Sequence, residues 1–459
     1  MSAYPKKNQQ YTVEIEDLNN LGYGVGRIGG LVTFVHGAVD GDTVLATVIR
    51  VTKGYLVAKA DKILIPSPHR VKNECPGRGC GGCVYRSISY EHELALKRHY
   101  VEQAFRKAGL QSVEVEPTLS TGRTEGYRNK AQYPLAYGKD GELLIGFFAP
   151  RSHRVIEARD CLLQPAAFSE VLRIVSEWIA EYVVSVYDEE SGRGLLRHVY
   201  LRCSADAKEI LLTLVVNGRS IPHADDLIRR LCDGVPALVG VVLNINTDAT
   251  NVICGEEYRL LFGRDYIEDT LCGVRLKLHP AAFYQVNHDA TELLYRKAAD
   301  LAELRGDELL LDLFCGVGSI GLSMAGRVRE LIGIEIVPDA IACAGENAES
   351  NQIQNAHFYV GDAADTERLL ENAEAELGRR IEPDVVILDP PRRGADEALL
   401  RFLADRGIPR IVYISCNPDT LARDVALLSS LGYTFGTVTP VDLFPRTGHV
   451  ESLVCLTRK

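Results

Sequence analysis

The sequence predicts an α/β protein of several domains, with a small N-terminal β-barrel, a central α+β region and a doubly wound C-terminal domain. Three observations point there. Glycines at 22, 24, 26, 29, 30, 37 and 41 punctuate short β-type runs ahead of residue 66. From residue 308 onward, apolar runs alternate with helical stretches. A glycine loop, Gly316-Val-Gly-Ser-Ile-Gly321, directly follows one of those runs.

In chain order, strands are expected over 11–15, 32–35, 43–49 and 55–58, closed by Pro66 and Pro68, which bounds an OB-like barrel at 1–65. An Ala-, Leu-, Lys- and Glu-rich stretch at 90–109 has helical spacing and stops at Gly109. This segment, to about residue 123, is expected to pack on the C-terminal domain. Strands at 131–137, 143–148, 199–203, 210–216 and 239–244, with an amphipathic helix near 166–184, fill a central domain over 66–275. The domain at 276–459 has buried-type strands at 309–313, 330–334, 356–360, 385–388 and 411–414. Helices at 319–325, 338–350, 365–377, 396–405 and 419–430 separate them.

Hydrophobic content of 46% and charged content of 25% are those of a soluble globular chain. The opening Met-Ser-Ala-Tyr-Pro-Lys-Lys-Asn lacks the apolar core of a secretory signal, and no apolar run reaches the roughly 18 residues of a membrane span. A cytoplasmic monomer with no membrane partner is the expectation. The net charge of −11 argues against a polyanionic partner, but its distribution does not. Residues 1–165 carry 22 Lys and Arg against 17 Asp and Glu, whereas the remainder carries 29 against 45. A locally basic N-terminal part can hold a polynucleotide; a solvated mixed surface is the plainer alternative.

The glycine loop has the G-x-G-x-x-G spacing, and Glu335 ends the next strand, 19 residues after Gly316, where a carboxylate can hold two ribose hydroxyls. That much fits a dinucleotide as well. Asp362 and Asp389, at the ends of the third and fourth strands, shift the balance, because this series resembles the Rossmann-like methyltransferases that bind S-adenosylmethionine. Asp389-Pro-Pro-Arg carries Arg392 where amino-group methyltransferases commonly place an aromatic ring, which favours a carbon acceptor. Carbon 5 of uracil cannot attack a methyl sulfonium unaided. A thiolate adding to carbon 6 creates an enolate that can, and a base must then remove the carbon 5 proton so that the thiol is eliminated. Cys416, after a buried strand, suits the first role, and Glu451 the second. A free thiol is only a few per cent ionised at neutral pH, so the site is expected to depress its pKa or supply a base. Taken singly, Cys416 reads as packing and Glu451 as a strand-face residue.

Ser415-Cys-Asn-Pro418, Phe444-Pro-Arg-Thr-Gly-His-Val-Glu-Ser452 and Phe283-Tyr-Gln-Val-Asn287 together resemble the RNA uracil-5-methyltransferase family, more narrowly the RumA-type 23S ribosomal-RNA enzymes, over nearly the whole chain. Gly22-Tyr-Gly-Val-Gly-Arg27 and Phe34-Val-His-Gly-Ala-Val-Asp-Gly-Asp42 resemble a TRAM domain, an OB-like RNA-binding module; a purely structural barrel is the alternative. The resemblance implies that Cys416 is the nucleophile and Glu451 the proton acceptor. It implies S-adenosylmethionine or base contacts for Gln285, Phe314, Gly316, Gly318, Ser319, Glu335, Asp362 and Asp389. Gly126–Gln132 matches a family segment expected to line the RNA site with Arg128 and Lys130, beside Asp389. Ser319 departs from the family, where Asn is frequent. A target base inside folded RNA must be swung out, at a cost of a few kcal/mol.

Twelve cysteines in such a chain point to metal binding or catalysis rather than disulfides. Cys203, Cys232, Cys254, Cys272, Cys343 and Cys455 stand singly and read as packing. Cys75, Cys80 and Cys83, interleaved with glycine and joined by distant Cys161, make poor packing sequence and good ligand sequence. The lone fourth ligand is unlike the paired motifs of zinc ribbons. In RumA-type enzymes these positions hold a 4Fe-4S cluster, although one residue fewer separates the first two cysteines here, and Val84-Tyr-Arg-Ser87 departs from the usual sequence. Zinc and free thiols are the alternatives. Two further readings of function stand beside the leading one: a tRNA uridine C5-methyltransferase, and a non-catalytic RNA-binding or iron–sulfur sensor protein. Intact Cys416, Glu451 and Asp389 oppose the last. Barrel and cysteines together, which tRNA-specific relatives often lack, favour 23S ribosomal RNA.

Overall fold

A computed structural model describes residues 5–459 apart from residue 78. Strands Gln10–Leu18, Tyr23–Ile28, Leu31–His36, Thr43–Val51 and Tyr55–Ile65 close into a barrel, with the last two exchanged in spatial order. Tyr23–Ile28 lies in the glycine-rich stretch that the sequence pattern assigns to turns. It is a strand because Gly24 and Gly26 face the barrel interior. A Cβ on Gly24 would stand 2.8 Å from Ile15 Cγ2, and one on Gly26 would collide with the Glu14 carbonyl. Absence of side chains is what lets the first two strands approach around the core of Val13, Val35, Val44 and Leu56.

The central region is a seven-stranded sheet running Glu257–Gly263, Leu238–Ile245, Ile210–Val216, Leu196–Cys203, Lys130–Tyr137, Leu143–Phe148, Val155–Glu157. Helices Ala166–Glu181 and Ala224–Gly234 cover one face, burying Phe168, Trp178, Leu214 and Leu227 together.

In the C-terminal sheet, Ala356–Val360, Glu330–Glu335, Leu309–Leu313, Val385–Leu388 and Arg410–Ser415 run parallel, in that spatial order. Glu451–Arg458 then adds antiparallel, paired with Tyr433–Phe435 and Thr439–Val441. The strand order reverses between Leu309–Leu313 and Val385–Leu388. That reversal opens the crevice where α/β sheets bind ligands. Helix Tyr90–Lys107, far upstream in sequence, inserts Val101, Ala104 and Phe105 into this domain's core beside Leu421 and Val425.

The division expected between residues 275 and 276 needs correction, because it cuts the strand Val274–Leu278. That strand pairs with Ile267–Leu271, and the alternating apolar residues of the hairpin bury with Leu310 and Leu331. The hairpin therefore packs with the C-terminal domain. Among the described residues no helix is long and apolar enough to cross a membrane.

Candidate active site

The glycine loop follows Leu309–Leu313 and opens the short helix Ser319–Met324. Gly316 and Gly318 take positive φ of 56° and 79°. Phe314 does so too, at 66°, an unusual conformation for a bulky residue and one that clusters at functional sites. The loop is braced from below. Asp312 Oδ2 accepts the Gly321 amide at 2.9 Å, and burial pushes the Asp312 carboxyl up to about 7. Glu335 accepts the Gly316 amide at 3.2 Å and the Val337 amide at 3.0 Å, which fixes its carboxylate at the crevice. Asp362 accepts the Ala364 amide at 3.0 Å. The Ser319 hydroxyl is 2.9 Å from that of Tyr295, so its orientation is set by a buried phenol.

A cavity of about 1000 Å³ runs along the crevice. It is lined by Gln285, Phe314, Gly316, Ser319, Glu335 and Asp362 at one end, and by Asp389, Cys416 and Glu451 at the other. Gly318 is not in its wall; it shapes the turn behind it. The thiol and the carboxylate meet through sheet register. Arg410–Ser415 pairs antiparallel with Glu451–Arg458, and Ser415 faces Ser452. Cys416 follows the last residue of its strand and Glu451 opens the other, so each lies one residue beyond that pair, and both line the cavity.

The DPPR loop is tied to the same place. The Arg392 carbonyl accepts from Asn417 Nδ2 at 3.1 Å and from the Thr420 hydroxyl at 3.3 Å, while Asn417 caps helix Pro418–Ser430. Burial pushes the Asp389 carboxyl up to about 7. Burial, then repulsion from Asp389, pushes Glu451 up to about 8 against the pull of Arg392. Cys416 is pushed up to about 11 by burial and by those two carboxylates, again opposed by Arg392. Of the two expected ways of activating the thiol, a depressed pKa is not found, since the carboxylates and the apolar walls outweigh one guanidinium, which leaves a base supplied by the site as the other. Sequence reasoning missed His449 and Phe444 as wall residues. Their rings meet edge to face, 5.9 Å apart, and burial and Arg392 lower His449 to about 4, leaving it neutral. Their place in the string that ends at Glu451 was the available signal.

Arg128 and Lys130 are not among the residues lining this cavity. Arg128 faces the cysteines, and Lys130 is partly buried with its ammonium 5.9 Å above the Tyr200 ring, burial lowering it to about 8. Cys75, Cys80, Cys83 and Cys161 line a second cavity of about 430 Å³, walled also by Arg86 and Arg128. The Gly82 amide donates to Cys80 Sγ at 3.4 Å, and burial raises Cys80, Cys83 and Cys161, the last to about 11.

A match to the family described as tRNA (uracil-5-)-methyltransferase covers residues 89–459, and a match to the TRAM domain covers residues 6–60. The chain belongs to the tRNA (uracil-5-)-methyltransferase family. It is 38% identical to an uncharacterized RNA methyltransferase of Clostridium tetani, over 98% of this chain and 97% of that one. It is 39% identical to another from Halalkalibacterium halodurans, over 99% and 98%. Among solved structures it resembles the Pyrococcus abyssi tRNA (uracil-54, C5)-methyltransferase bound to S-adenosyl-L-homocysteine. The TM-score is 0.77 at 26% identity, covering 97% of this chain and all of that one. As a member of this uracil-5-methyltransferase family, the protein is an S-adenosylmethionine-dependent RNA methyltransferase with a TRAM barrel at its N-terminal end.

Proposed function

We propose that the protein methylates carbon 5 of a uridine in 23S ribosomal RNA through a covalent bond from Cys416 to carbon 6, giving 5-methyluridine. The observation that supports this reading is that Cys416, Glu451 and Asp389 line the same cavity as Glu335, Asp362 and the Gly316 loop, with Cys416 and Glu451 at neighbouring ends of two paired strands. Glu335, Asp362, Gln285, Phe314 and the Gly316 loop line the end suited to the cofactor, with the Glu335 carboxylate held for ribose hydroxyls. Bound S-adenosylmethionine supplies an electrophilic methyl group on a sulfonium. Cys416 Sγ, having given its proton to a neighbouring carboxylate, would add to carbon 6, the electron pair moving to carbon 5, and carbon 5 would take the methyl group as the sulfonium S–CH3 bond breaks to leave S-adenosylhomocysteine. Glu451 then removes the carbon 5 proton; the carbon 5–carbon 6 double bond re-forms and the thiolate leaves. Asp389, followed by two prolines, would hydrogen-bond the ring edge from the wall of the same cavity.

A tRNA target is the second reading. The Pyrococcus abyssi tRNA enzyme aligns with 97% of this chain, so its alignment extends over barrel and cysteine region alike. Those features therefore favour ribosomal RNA less than the sequence alone implies. Tritiated methyl transfer to unmodified 23S rRNA and tRNA transcripts, with nucleoside analysis, separates the readings. Label in 5-methyluridine of 23S rRNA alone is expected; label in tRNA alone would overturn the target and keep the chemistry.

We further propose that Cys75, Cys80, Cys83 and Cys161 hold a 4Fe-4S cluster. Among the described residues no group of three or more His, Cys, Asp or Glu side chains is already arranged around a metal position. A tetrahedral zinc site needs sulfurs about 3.8 Å apart, given Zn–S bonds of about 2.3 Å. What supports the proposal is that the four thiols line one cavity, where Arg86 and Arg128 would balance the thiolate charge. Iron and sulfide analysis of anaerobically purified protein tests this; stoichiometric zinc without iron would refute it.

A further inference from the structure

The loop between Thr439–Val441 and Glu451–Arg458 carries Phe444 and His449 into the cavity and leads into Glu451, the first residue of the second strand, and much of what shapes it comes from outside its own sheet. Its carbonyls are taken one after another by distant segments. Asn287 Nδ2 donates to Leu443 O at 3.0 Å, Lys97 Nζ to Phe444 O at 3.1 Å, and the Tyr127 hydroxyl to Pro445 O at 2.9 Å. The Val84 and Tyr85 amides, immediately after Cys83, both donate to Arg446 O at 2.9 and 3.1 Å. Arg446 itself has φ of +70°, a conformation its neighbours must impose.

At the centre stands Lys97, only 1% exposed on helix Tyr90–Lys107. Besides Phe444 O, its ammonium donates to Glu93 at 2.8 Å and to Asp442 at 2.7 Å. Each carboxylate then grips the loop backbone: Glu93 accepts the Arg446 amide at 2.7 Å, and Asp442 accepts the Phe444 amide at 3.1 Å. The Tyr90 hydroxyl completes Asp442 at 2.8 Å. Burying an ammonium and two carboxylates is costly unless each is fully paired, and apolar side chains would serve a purely structural contact at least as well.

We propose that Lys97, with Glu93 and Asp442, is a positioning residue that sets the height of Glu451 over carbon 5. This rests on Glu451 being the base of the proposed mechanism. The affected step is the last one, in which Glu451 takes the carbon 5 proton, the carbon 5–carbon 6 double bond re-forms and the carbon 6–sulfur bond breaks to release thiolate. Thiol addition and methyl transfer depend on Cys416, which follows a different strand, Arg410–Ser415, and are spared.

The test compares Lys97→Met, the neutral triple variant Lys97→Met/Glu93→Gln/Asp442→Asn, and Tyr127→Phe, with Glu451→Gln run alongside. Tyr127→Phe removes one grip on the loop and no buried charge, so it reports even where the charge variants fold poorly. The substrate is whichever unmodified transcript, 23S rRNA or tRNA, accepts label, and a second batch is made with 5-fluorouridine. S-adenosyl-L-homocysteine affinity checks that the cofactor crevice is intact. Expected are unchanged affinity, normal covalent capture by the fluorinated RNA, and turnover slowed by about 100-fold in the charge variants, the scale of an ångström-level misplacement. A methylated protein–RNA adduct accumulates on denaturing gels in all three, least with Tyr127→Phe. Wild-type turnover in the folded variants overturns the proposal. So does slowed turnover without adduct while Glu451→Gln accumulates it. If Glu451→Gln accumulates none, the base reading itself has failed and the proposal falls with it.

Discussion

Replacing Glu451 by Gln should make the protein more stable while disabling its last chemical step. Its carboxyl, ordinarily near 4.5, stands at about 8 in the folded chain because it is buried beside Asp389. The folded state therefore holds this proton more tightly than the unfolded chain does. The stability it contributes is fully present below about pH 4.5 and is lost as pH rises to about 8, where the loss levels off. The whole span corresponds to about 5 kcal/mol, an upper value, since the buried pair shares its cost. Gln keeps the shape and has no proton to lose. Melting curves of wild type and Glu451→Gln should coincide near pH 4.5 and separate steadily to pH 8.5, the variant melting higher. For 459 residues unfolding together, about 5 kcal/mol is about 5 °C, and more if the catalytic sheet melts on its own. Parallel curves with a constant offset, or a less stable variant at pH 8.5, would refute the reasoning.

Four further outcomes are expected. Cys416→Ala should lose methyl transfer to RNA altogether while binding S-adenosyl-L-homocysteine normally by calorimetry, since the thiol sits at the far end of the cavity from Glu335. Arg392→Met removes the cation that draws both Cys416 and Glu451 down, so the rising limb of its pH profile for kcat/KM should move to higher pH and return with Arg392→Lys; an equal loss at every pH would reject this. Glu335→Gln weakens charge-assisted bonds to ribose, each worth about 1.5–3 kcal/mol, so cofactor affinity should fall about 10- to 100-fold. Gly26→Val forces a side chain into the Glu14 carbonyl, and should cost RNA affinity in filter binding while cofactor binding persists.

What was legible in the sequence was mainly what depends on strand ends. Gly316, Glu335, Asp362 and Asp389 each follow an apolar run, and a parallel sheet brings such positions to one edge whatever the rest of the chain does. Cys416 and Glu451 were readable as residue types in recurring strings, but their neighbouring positions depend on an antiparallel strand at the sheet edge that the alternating pattern does not announce. The glycines of Tyr23–Ile28 misled because low β propensity and close strand approach have the same sequence signature. Arg128 and Lys130 are expected at the RNA site from the resemblance of Gly126–Gln132 to a family segment, whereas that Arg128 lines the cysteine cavity and Lys130 lies over Tyr200 depends on tertiary packing that the string does not show. Lys97 reads as an ordinary helical lysine, since the carboxylate that helps bury it, Asp442, is 345 residues away.

The acid–base balance of the cavity carries one more step of argument. Burial and the two carboxylates hold the Cys416 thiol at about 11, so its proton needs an acceptor close by before the sulfur can add. Under the proposed mechanism, however, Glu451 must be ionised later, when the carbon 5 proton leaves. A single carboxylate cannot hold both protons. Asp389, at about 7, is the second acceptor in the same cavity, and its negative charge is one reason that Glu451 stands higher. Two carboxyls with staggered affinities near neutral pH can hold the thiol proton on one and receive the ring proton on the other. Returning the first proton to the departing thiolate leaves one proton to release per methyl group transferred. That need for two acceptors gives a chemical reason to bury both carboxylates where burial costs stability, rather than leave one exposed to solvent.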